Sequence, residues 1–218
     1  MLPDAVARRL LAALAAPDAP TTVHDPAQAR DVHLADALAG LAVPELAAAR
    51  VIADLGSGAG IPGLVLAGAL PASRVWLIET VRRKAEWIEA TAVACGLANA
   101  AAVWTRAEAW RDGLGACDAV TARALAALPV VCEYAAPLLR VGGVLVCWKG
   151  AVPEPEAADG RAAAALLGLS PPTVLPVTPY PGSERRTLWV FTKAEATPAR
   201  FPRRPGMALK RPLSAAAS

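Results

Sequence analysis

The stretch Val51-Ile-Ala-Asp54-Leu-Gly56-Ser-Gly58-Ala-Gly60-Ile-Pro62-Gly63 constrains this chain more than any other. A short apolar run, Val51 to Leu55, feeds three glycines placed at every second residue. Pro62 then opens an apolar, helix-like segment from Gly63 to Leu70. Proline is favoured in the first helical turn, where its missing N–H is no loss. Strand, glycine turn and helix start together open a nucleotide- or cofactor-binding βαβ unit. Glycines let the backbone take positive φ and let a ligand lie against the main chain.

The rest of the chain agrees with such a unit. Its 218 residues suit one domain with some extra, and 55% of them are hydrophobic, enough for a substantial core. Apolar stretches are broken by Arg, Asp or Pro well short of ~18 residues, so no transmembrane helix is expected. The first nine residues carry an acid and no uninterrupted apolar run before Arg8 and Arg9, a poor secretory signal. Cys95, Cys117, Cys132 and Cys147 are scattered, with no C-x-x-C and two histidines in the chain. No metal site is expected, and the cysteines fit a reducing, cytoplasmic setting.

Residues 1–45 read as a helical N-terminal extension, with Val6, Leu10, Leu11 and Leu14 at helical spacing before Pro17 and Pro20. A second helical segment runs from Asp31 to Leu38. Residues 46–195 alternate. Strands are expected at Val51–Leu55, Arg74–Ile78, Ala100–Trp104, Ala116–Ala122 and Val144–Trp148, with helices at Val81–Cys95 and Leu125–Leu139 between them. A helix from Ala157 to Gly168 precedes two closing strands, Val174–Val177 and Thr187–Thr192, expected to be antiparallel. This order predicts an α/β fold, Rossmann-like, with a mostly parallel seven-stranded sheet and ligands at the carboxyl ends of strands. Residues 196–218 hold five basic residues (Arg200, Arg203, Arg204, Lys210, Arg211) and no acid, read as an extended, partly ordered arm.

Two ligands compete for the glycine loop. Gly58-x-Gly60-x-x-Gly63 satisfies the dinucleotide fingerprint, with Glu79 near the expected acidic position. Asp54-x-Gly56-x-Gly58-x-Gly60 instead matches the S-adenosylmethionine loop of class I methyltransferases. A carboxylate at the tip of the strand, facing the crevice, repels a pyrophosphate and suits an ammonium and a sulfonium. Asp54 therefore favours S-adenosylmethionine, and Asp54→Ala is expected to weaken its binding and leave the fold intact. Glu79 reads as a ribose ligand or as a capping acid before Val81, and Ala107-Glu108 as readers of an adenine edge or as a surface loop.

The exit of the fourth strand, Asp118-Ala-Val-Thr121-Ala-Arg123-Ala, lacks the Asn/Asp-Pro-Pro-aromatic motif that grips an exocyclic amine. Cys117 has no Pro-Cys nucleophile context, and no acid/His cluster suggests metal-assisted O-methyl transfer. That pattern favours an acceptor that is already nucleophilic, such as a purine N7. Trp87, Trp104, Trp110 and Trp189 read as core, and Arg82, Arg83 and Lys84 at a helix start hint at a partner or a solvated face.

Asp54-Leu-Gly-Ser-Gly-Ala-Gly-Ile-Pro-Gly63 resembles the D-x-G-[ST]-G-x-G-[LIF]-P-G loop of the RsmG/GidB family, small-subunit (16S) ribosomal RNA guanine-N7 methyltransferases. Further matches follow in order. Asp25-Pro26 with His33-Leu-Ala-Asp36 resembles the family's D-P…H-x-x-D-S, and Thr121-Ala-Arg123-Ala124 its S-R-A. Trp148-Lys149-Gly150 is similar to L-K-G, Glu184-Arg-Arg186-Thr-Leu188 to E-R-x-L, and Phe201-Pro-Arg-Arg-Pro-Gly206 to Y-P-R-R-x-G. Two departures stand out. Ala-Pro-Thr-Thr-Val replaces the family's N-L-T, and Asp36-Ala37 replaces its D-S.

The resemblance implies a class I S-adenosylmethionine-dependent methyltransferase with a short helical N-terminal extension. It implies cofactor contacts at Gly56, Ile61, Ala107, Glu108 and Arg123, beside Asp54, Gly58 and Gly60 of the loop and Glu79 just after the second strand. His33 and Arg123 are the implied catalytic residues, Arg123 positioning cofactor and guanine, or else serving in a structural ion pair, and His33 stacking on or hydrogen-bonding the substrate. Alone, a single helical histidine reads as structural. The implied partner is 16S rRNA or the small ribosomal subunit, with the basic tail on phosphates or packed back on the domain. A monomer is expected, and a paralogue acting on another RNA, a small molecule or a protein is the alternative.

Overall fold

The structure, a computed structural model, describes residues 1–215. Helix α1 (Asp4–Leu14) buries Leu10, Leu11 and Leu14 on one face. Three short pieces then run without a break: α2 (Pro26–Ala29), a wide π turn (Arg30–Ala35) and α3 (Asp36–Leu38). Asp25 starts them, its carboxylate accepting the Gln28 N–H at 2.8 Å beside Pro26 at the first helical position. The π turn re-aims this segment, and His33 and Asp36 both end up buried. Helix α4 (Pro44–Ala47) leads into the sheet.

Seven strands form one sheet in the order β3-β2-β1-β4-β5-β7-β6. They are β1 (Val51–Leu55), β2 (Arg74–Glu79), β3 (Ala100–Trp104), β4 (Cys117–Arg123), β5 (Leu139–Lys149), β6 (Thr173–Pro176) and β7 (Thr187–Thr192). The first five pair in parallel, and β7 pairs antiparallel with both β5 and β6. The order reverses between β1 and β4, the switch point at which open α/β sheets bind ligands. Helices α5 (Gly63–Ala69), α6 (Arg82–Cys95), α7 (Leu128–Ala135) and α8 (Glu154–Leu166) cover the faces. One core cluster joins α1, the N-terminal turns and α5 to the sheet through Leu14, Leu34, Leu46 and Ile52; the other packs α7 and α8 through Leu128, Val131 and Ala163. All four cysteines are buried and free, and burial raises their thiols, Cys117 and Cys147 to about 12.

Several boundaries differ from the sequence expectation. The helix expected over Leu125–Leu139 is only Leu128–Ala135, because Ala124 turns with φ 54° and Leu139 already pairs in β5. The Gly142-Gly143 pair lies inside β5 instead of before it. A Cβ on Gly143 would sit 2.8 Å from the Asp118 carbonyl oxygen, so the sheet itself requires glycine there. Trp104 is not core. It is 60% exposed at the outer edge of the sheet, with its Nε1 donating to the Thr80 carbonyl at 3.0 Å and Arg82 over its ring.

The tail's described residues, 196–215, are likewise docked, not extended, and its last three positions lie outside the described residues. Phe201 and Ala208 are buried, helix α9 (Met207–Lys210) lies against α7, and the Gly206 N–H donates to Glu108 Oε1 at 2.9 Å. Arg203 grips the Glu133 carboxylate with two nitrogens, its Nε at 2.6 Å. Glu133 is 1% exposed, which explains the docking: a carboxylate that far from water needs a cationic partner. Four prolines and Gly206 erase helical periodicity here, so the sequence pattern could not choose between a tail on phosphates and one packed back on the domain. Arg203→Ala is expected to lower the unfolding free energy by roughly 2–3 kcal/mol, the low side of a broken buried pair because the guanidinium is partly solvated. Urea unfolding measures that loss, and faster proteolytic release of the tail should accompany it.

Candidate active site

The glycine loop is closed by its own sequence. Gly56, Gly58 and Gly60 all take positive φ, between 58° and 76°. The Gly56 N–H donates to the Ile78 carbonyl at 2.9 Å, the Gly58 N–H to Glu79 Oε2 at 2.9 Å, and the Gly60 N–H to the Ser57 carbonyl at 2.7 Å. At the far end the Gly63 N–H donates to Asp54 Oδ2 at 3.2 Å. A Cβ on Gly63 would stand 3.0 Å from that oxygen and 2.6 Å from Leu77 Cδ2. Only glycine allows the helix start to come this close to the strand tip.

Asp54 consequently has another position than the one its sequence context suggests. It is 0% exposed and does not line a crevice. Its Oδ1 accepts from Thr121 Oγ1 at 2.8 Å, its register partner on β4. Burial pushes the Asp54 carboxyl up to about 6, against the hydrogen bonds and Arg123, which favour its charged form. Its removal therefore touches the fold as well as any ligand. Glu79 is buried too, its Oε1 accepting the Val81 N–H at 2.8 Å while its other oxygen holds Gly58. Both readings of that residue, ribose ligand and helix cap, use the same carboxylate.

A second cluster forms at the carboxyl edge of the sheet from four separate segments. Arg123 ends β4 opposite Trp148 on β5, and Lys149 pairs with Thr187 at the start of β7, next to Arg186. The π turn brings His33 and Asp36 onto this edge. Arg123 Nη1 donates to the Val32 carbonyl at 2.7 Å and to Asp36 Oδ2 at 2.9 Å; its Nη2 lies 3.1 Å from His33 Nδ1. Trp148 Nε1 donates to the Asp36 carbonyl at 2.7 Å. Arg186 Nε is 2.8 Å from Asp36 Oδ1, but its N–H is not aimed along that line, so neither atom makes an aligned hydrogen bond.

A guanidinium has no acceptor, so His33 Nδ1 must accept from Arg123 and the ring proton must sit on Nε2. Nε2–H then donates to Thr21 Oγ1 at 2.9 Å. Burial, then the Arg123 charge, lowers the His33 imidazolium to about 4, against smaller opposing effects of the Val32 backbone and Asp36. At neutral pH this histidine is an uncharged, doubly tethered spacer.

The two clusters flank one cavity of about 600 Å³. Gly56, Gly58, Ile61, His33 and Arg123 line it. Asp54, Gly60, Glu79, Ala107 and Glu108 do not; Ala107 packs against the α7 side of the core, and the Glu108 carboxylate holds the tail's Gly206. Arg83, Lys84 and the segment Pro20-Thr21-Thr22 also line the cavity. The sequence hinted at the first two through a basic helix start. The threonines fall where N-L-T is replaced, and nothing in the sequence tied Thr21 to His33 or Thr121 to Asp54.

These geometries fix two outcomes. The unfolded chain protonates His33 near its ordinary value of 6.5 and the folded chain only near 4, so this residue's stability contribution is lost as pH falls through that window. Asp54 acts oppositely, since the folded chain takes its proton first, near 6. Subtracting a His33→Gln variant isolates the histidine: between pH 6.5 and 4, wild type should lose on the order of 3 kcal/mol relative to the variant in urea unfolding. Asp54→Ala strands the buried Gly63 N–H and should cost about 1–3 kcal/mol of stability, whereas Asp54→Asn keeps an acceptor and should recover most of it. Thermal unfolding of the two variants side by side reads that difference.

Comparison with known proteins agrees with this architecture. The family model for rRNA small subunit methyltransferase G (GidB) matches residues 14–179. Ribosomal RNA small subunit methyltransferase G of Rubrobacter xylanophilus is 44% identical over 187 residues, spanning 83% of this chain and 72% of the relative. The Deinococcus radiodurans protein of the same name is 41% identical over 184 residues, 83% and 73% of the two chains. Among solved structures, the antibiotic-resistance methyltransferase Kmr superposes with a TM-score of 0.52 at 22% identity, over 71% of this chain and 92% of that one. A predicted O-methyltransferase from Agrobacterium tumefaciens gives 0.58 at 23%, over 74% and 81%. These structures share the class I methyltransferase fold, and by the family model and its relatives the chain belongs to the rRNA small subunit methyltransferase G (GidB) family.

Proposed function

We propose that this chain transfers the methyl group of S-adenosylmethionine to N7 of a guanine in 16S rRNA, working as a monomer in the cytoplasm. The observation that carries this reading is the absence of a free base where the chemistry belongs. His33 is held neutral with its Nδ1 already accepting, and the other titratable side chains lining the cavity are Arg83, Lys84 and Arg123. Guanine N7 presents a lone pair and no proton at neutral pH, so it needs positioning and no deprotonation. Alignment of the reactants then supplies most of the acceleration, up to ~7–11 kcal/mol in favourable cases.

The residues present fit the cofactor. At Gly58 an added Cβ would meet nothing nearer than 3.8 Å, so this glycine is not enforced by packing; it bares the main chain to the cavity. In this reading Gly56, Gly58 and Ile61, which line the cavity, bear the cofactor on backbone, Asp54, Gly60 and Glu79 keep the loop in shape from outside it, and Ala107-Glu108, turned toward the core and the tail, lie away from the cavity. When bound, S-adenosylmethionine supplies an electrophilic methyl group on a positively charged sulfur. Arg123, pinned by Val32, Asp36 and His33, orients the acceptor without moving a proton.

Reduction and aniline cleavage of 16S rRNA reports N7-methylguanine as a strand break. RNA from a deletion strain should lose one stop, and purified protein should restore it on RNA or subunits from that strain. An unchanged cleavage pattern sinks the proposal, and methylation of some other RNA by the same protein would establish the paralogue.

A further inference from the structure

Three cavities along the carboxyl edge of the sheet share walls. Arg123 and Ala124 separate the glycine-loop cavity from a second of about 270 Å³, lined also by Trp148 and Lys149. Gly150 and Arg186 in turn belong to both the second and a third of about 340 Å³, whose far wall is the turn carrying Tyr180 and Arg185. Among the described residues six cations line the series (Arg83, Lys84, Arg123, Lys149, Arg185, Arg186), and no carboxylate does. Carboxylates do reach some of these cations from behind: Asp36 pairs with Arg123 and Arg186, and Glu156 with Lys149. Two carboxylates against six cations leave a marked positive excess, and Arg186 Nε still lacks an aligned acceptor.

The far turn is built to hold its shape. Ser183 is buried, its Oγ accepting the Tyr180 N–H at 3.2 Å and donating back to the Tyr180 carbonyl. The Arg186 N–H closes onto the Ser183 carbonyl at 2.9 Å, and Glu184 Oε1 takes the Gly182 N–H at 2.9 Å. Tyr180 is left half-buried and Arg185 exposed, both on the cavity wall.

A cationic groove with an aromatic side chain at its end is how proteins track single-stranded nucleic acid, phosphates on the cations and bases on the rings. A duplex suits it less well, because A-form helices are recognised across a broad surface, whereas unpaired bases enter concave sites. We propose that the three cavities form one channel for a single RNA strand, in which Tyr180 stacks on a base flanking the methylated nucleotide and Arg185 holds a phosphate beside it. This rests on the rRNA reading above and extends it with a subsite away from the reacting atoms.

The test uses full-length protein, 16S rRNA as the probe, and the variants Tyr180→Ala, Tyr180→Phe and Arg185→Ala. Tyr180→Ala should weaken RNA affinity roughly 10-fold and Tyr180→Phe should restore it, since stacking needs the ring and not the hydroxyl. Arg185→Ala should reduce the slope of log affinity against log salt by about 0.7, as expected when one fewer phosphate is neutralised on a single strand. Cofactor affinity by calorimetry and the melting temperature should match wild type. Arg8→Ala, on the exposed side of α1 and outside all three cavities, is the charge control and should leave the slope alone. Wild-type RNA affinity and salt slope in all the variants overturn the channel while the methyltransferase reading stands. A fall in melting temperature or cofactor affinity that accounts for the weaker RNA binding also overturns it, because the turn is then structural. If wild type itself leaves 16S rRNA unmethylated, the underlying reading fails before any variant is compared.

Discussion

Asp36 is the charge around which the edge of the sheet is assembled. It has no exposure to water, and each of its two oxygens faces a guanidinium, Arg123 at the end of β4 and Arg186 just before β7. Its backbone carbonyl takes the Trp148 indole N–H from the end of β5. A carboxylate in that position is costly unless its partners are all in place, so the π turn, three strand ends and the arginines form as one unit or not at all. The result orients His33 and Arg123 toward the cavity without leaving either free to move a proton.

Asp54 does for the glycine loop what Asp36 does for the sheet edge. It sits on β1, reaches sideways to its register partner Thr121 and forward to the Gly63 amide, and so fixes both ends of a turn that has little side-chain packing of its own. Fixing the loop in advance lowers the ordering cost when a ligand arrives. The two buried acids differ in their electrostatic setting. Asp36 is flanked by two cations, whereas Asp54 has neutral donors and a carboxyl pushed up to about 6, so the loop's charge state changes close to the physiological range.

Much of the architecture is legible along the chain because it is local. Three strands, Val51–Leu55, Ala100–Trp104 and Thr187–Thr192, end where the sequence pattern puts them, since short apolar runs and flanking turn residues are written in consecutive positions. Elements that depend on distant partners are not. The start of β5 at Leu139 is set by pairing with Cys117, and the docked tail is set by a buried Glu133 seventy residues away. Trp104 illustrates the same limit: its strand is readable, but that strand's place at the sheet edge, which exposes the ring, follows from the topology.

By itself the sequence determined the class of fold, the glycine loop and the segments at His33, Arg123, Trp148 and Arg186, because spacing along a chain records backbone geometry directly. The tertiary structure alone decided what those side chains touch. It buried Asp54 beneath the loop instead of in the crevice, set Arg123 against His33 and so fixed its tautomer, turned Glu108 toward the tail and joined three cavities into one cationic edge. The physical reason is that burial and electrostatic pairing depend on which strand ends become neighbours. That is a property of sheet order, and no local window of residues contains it.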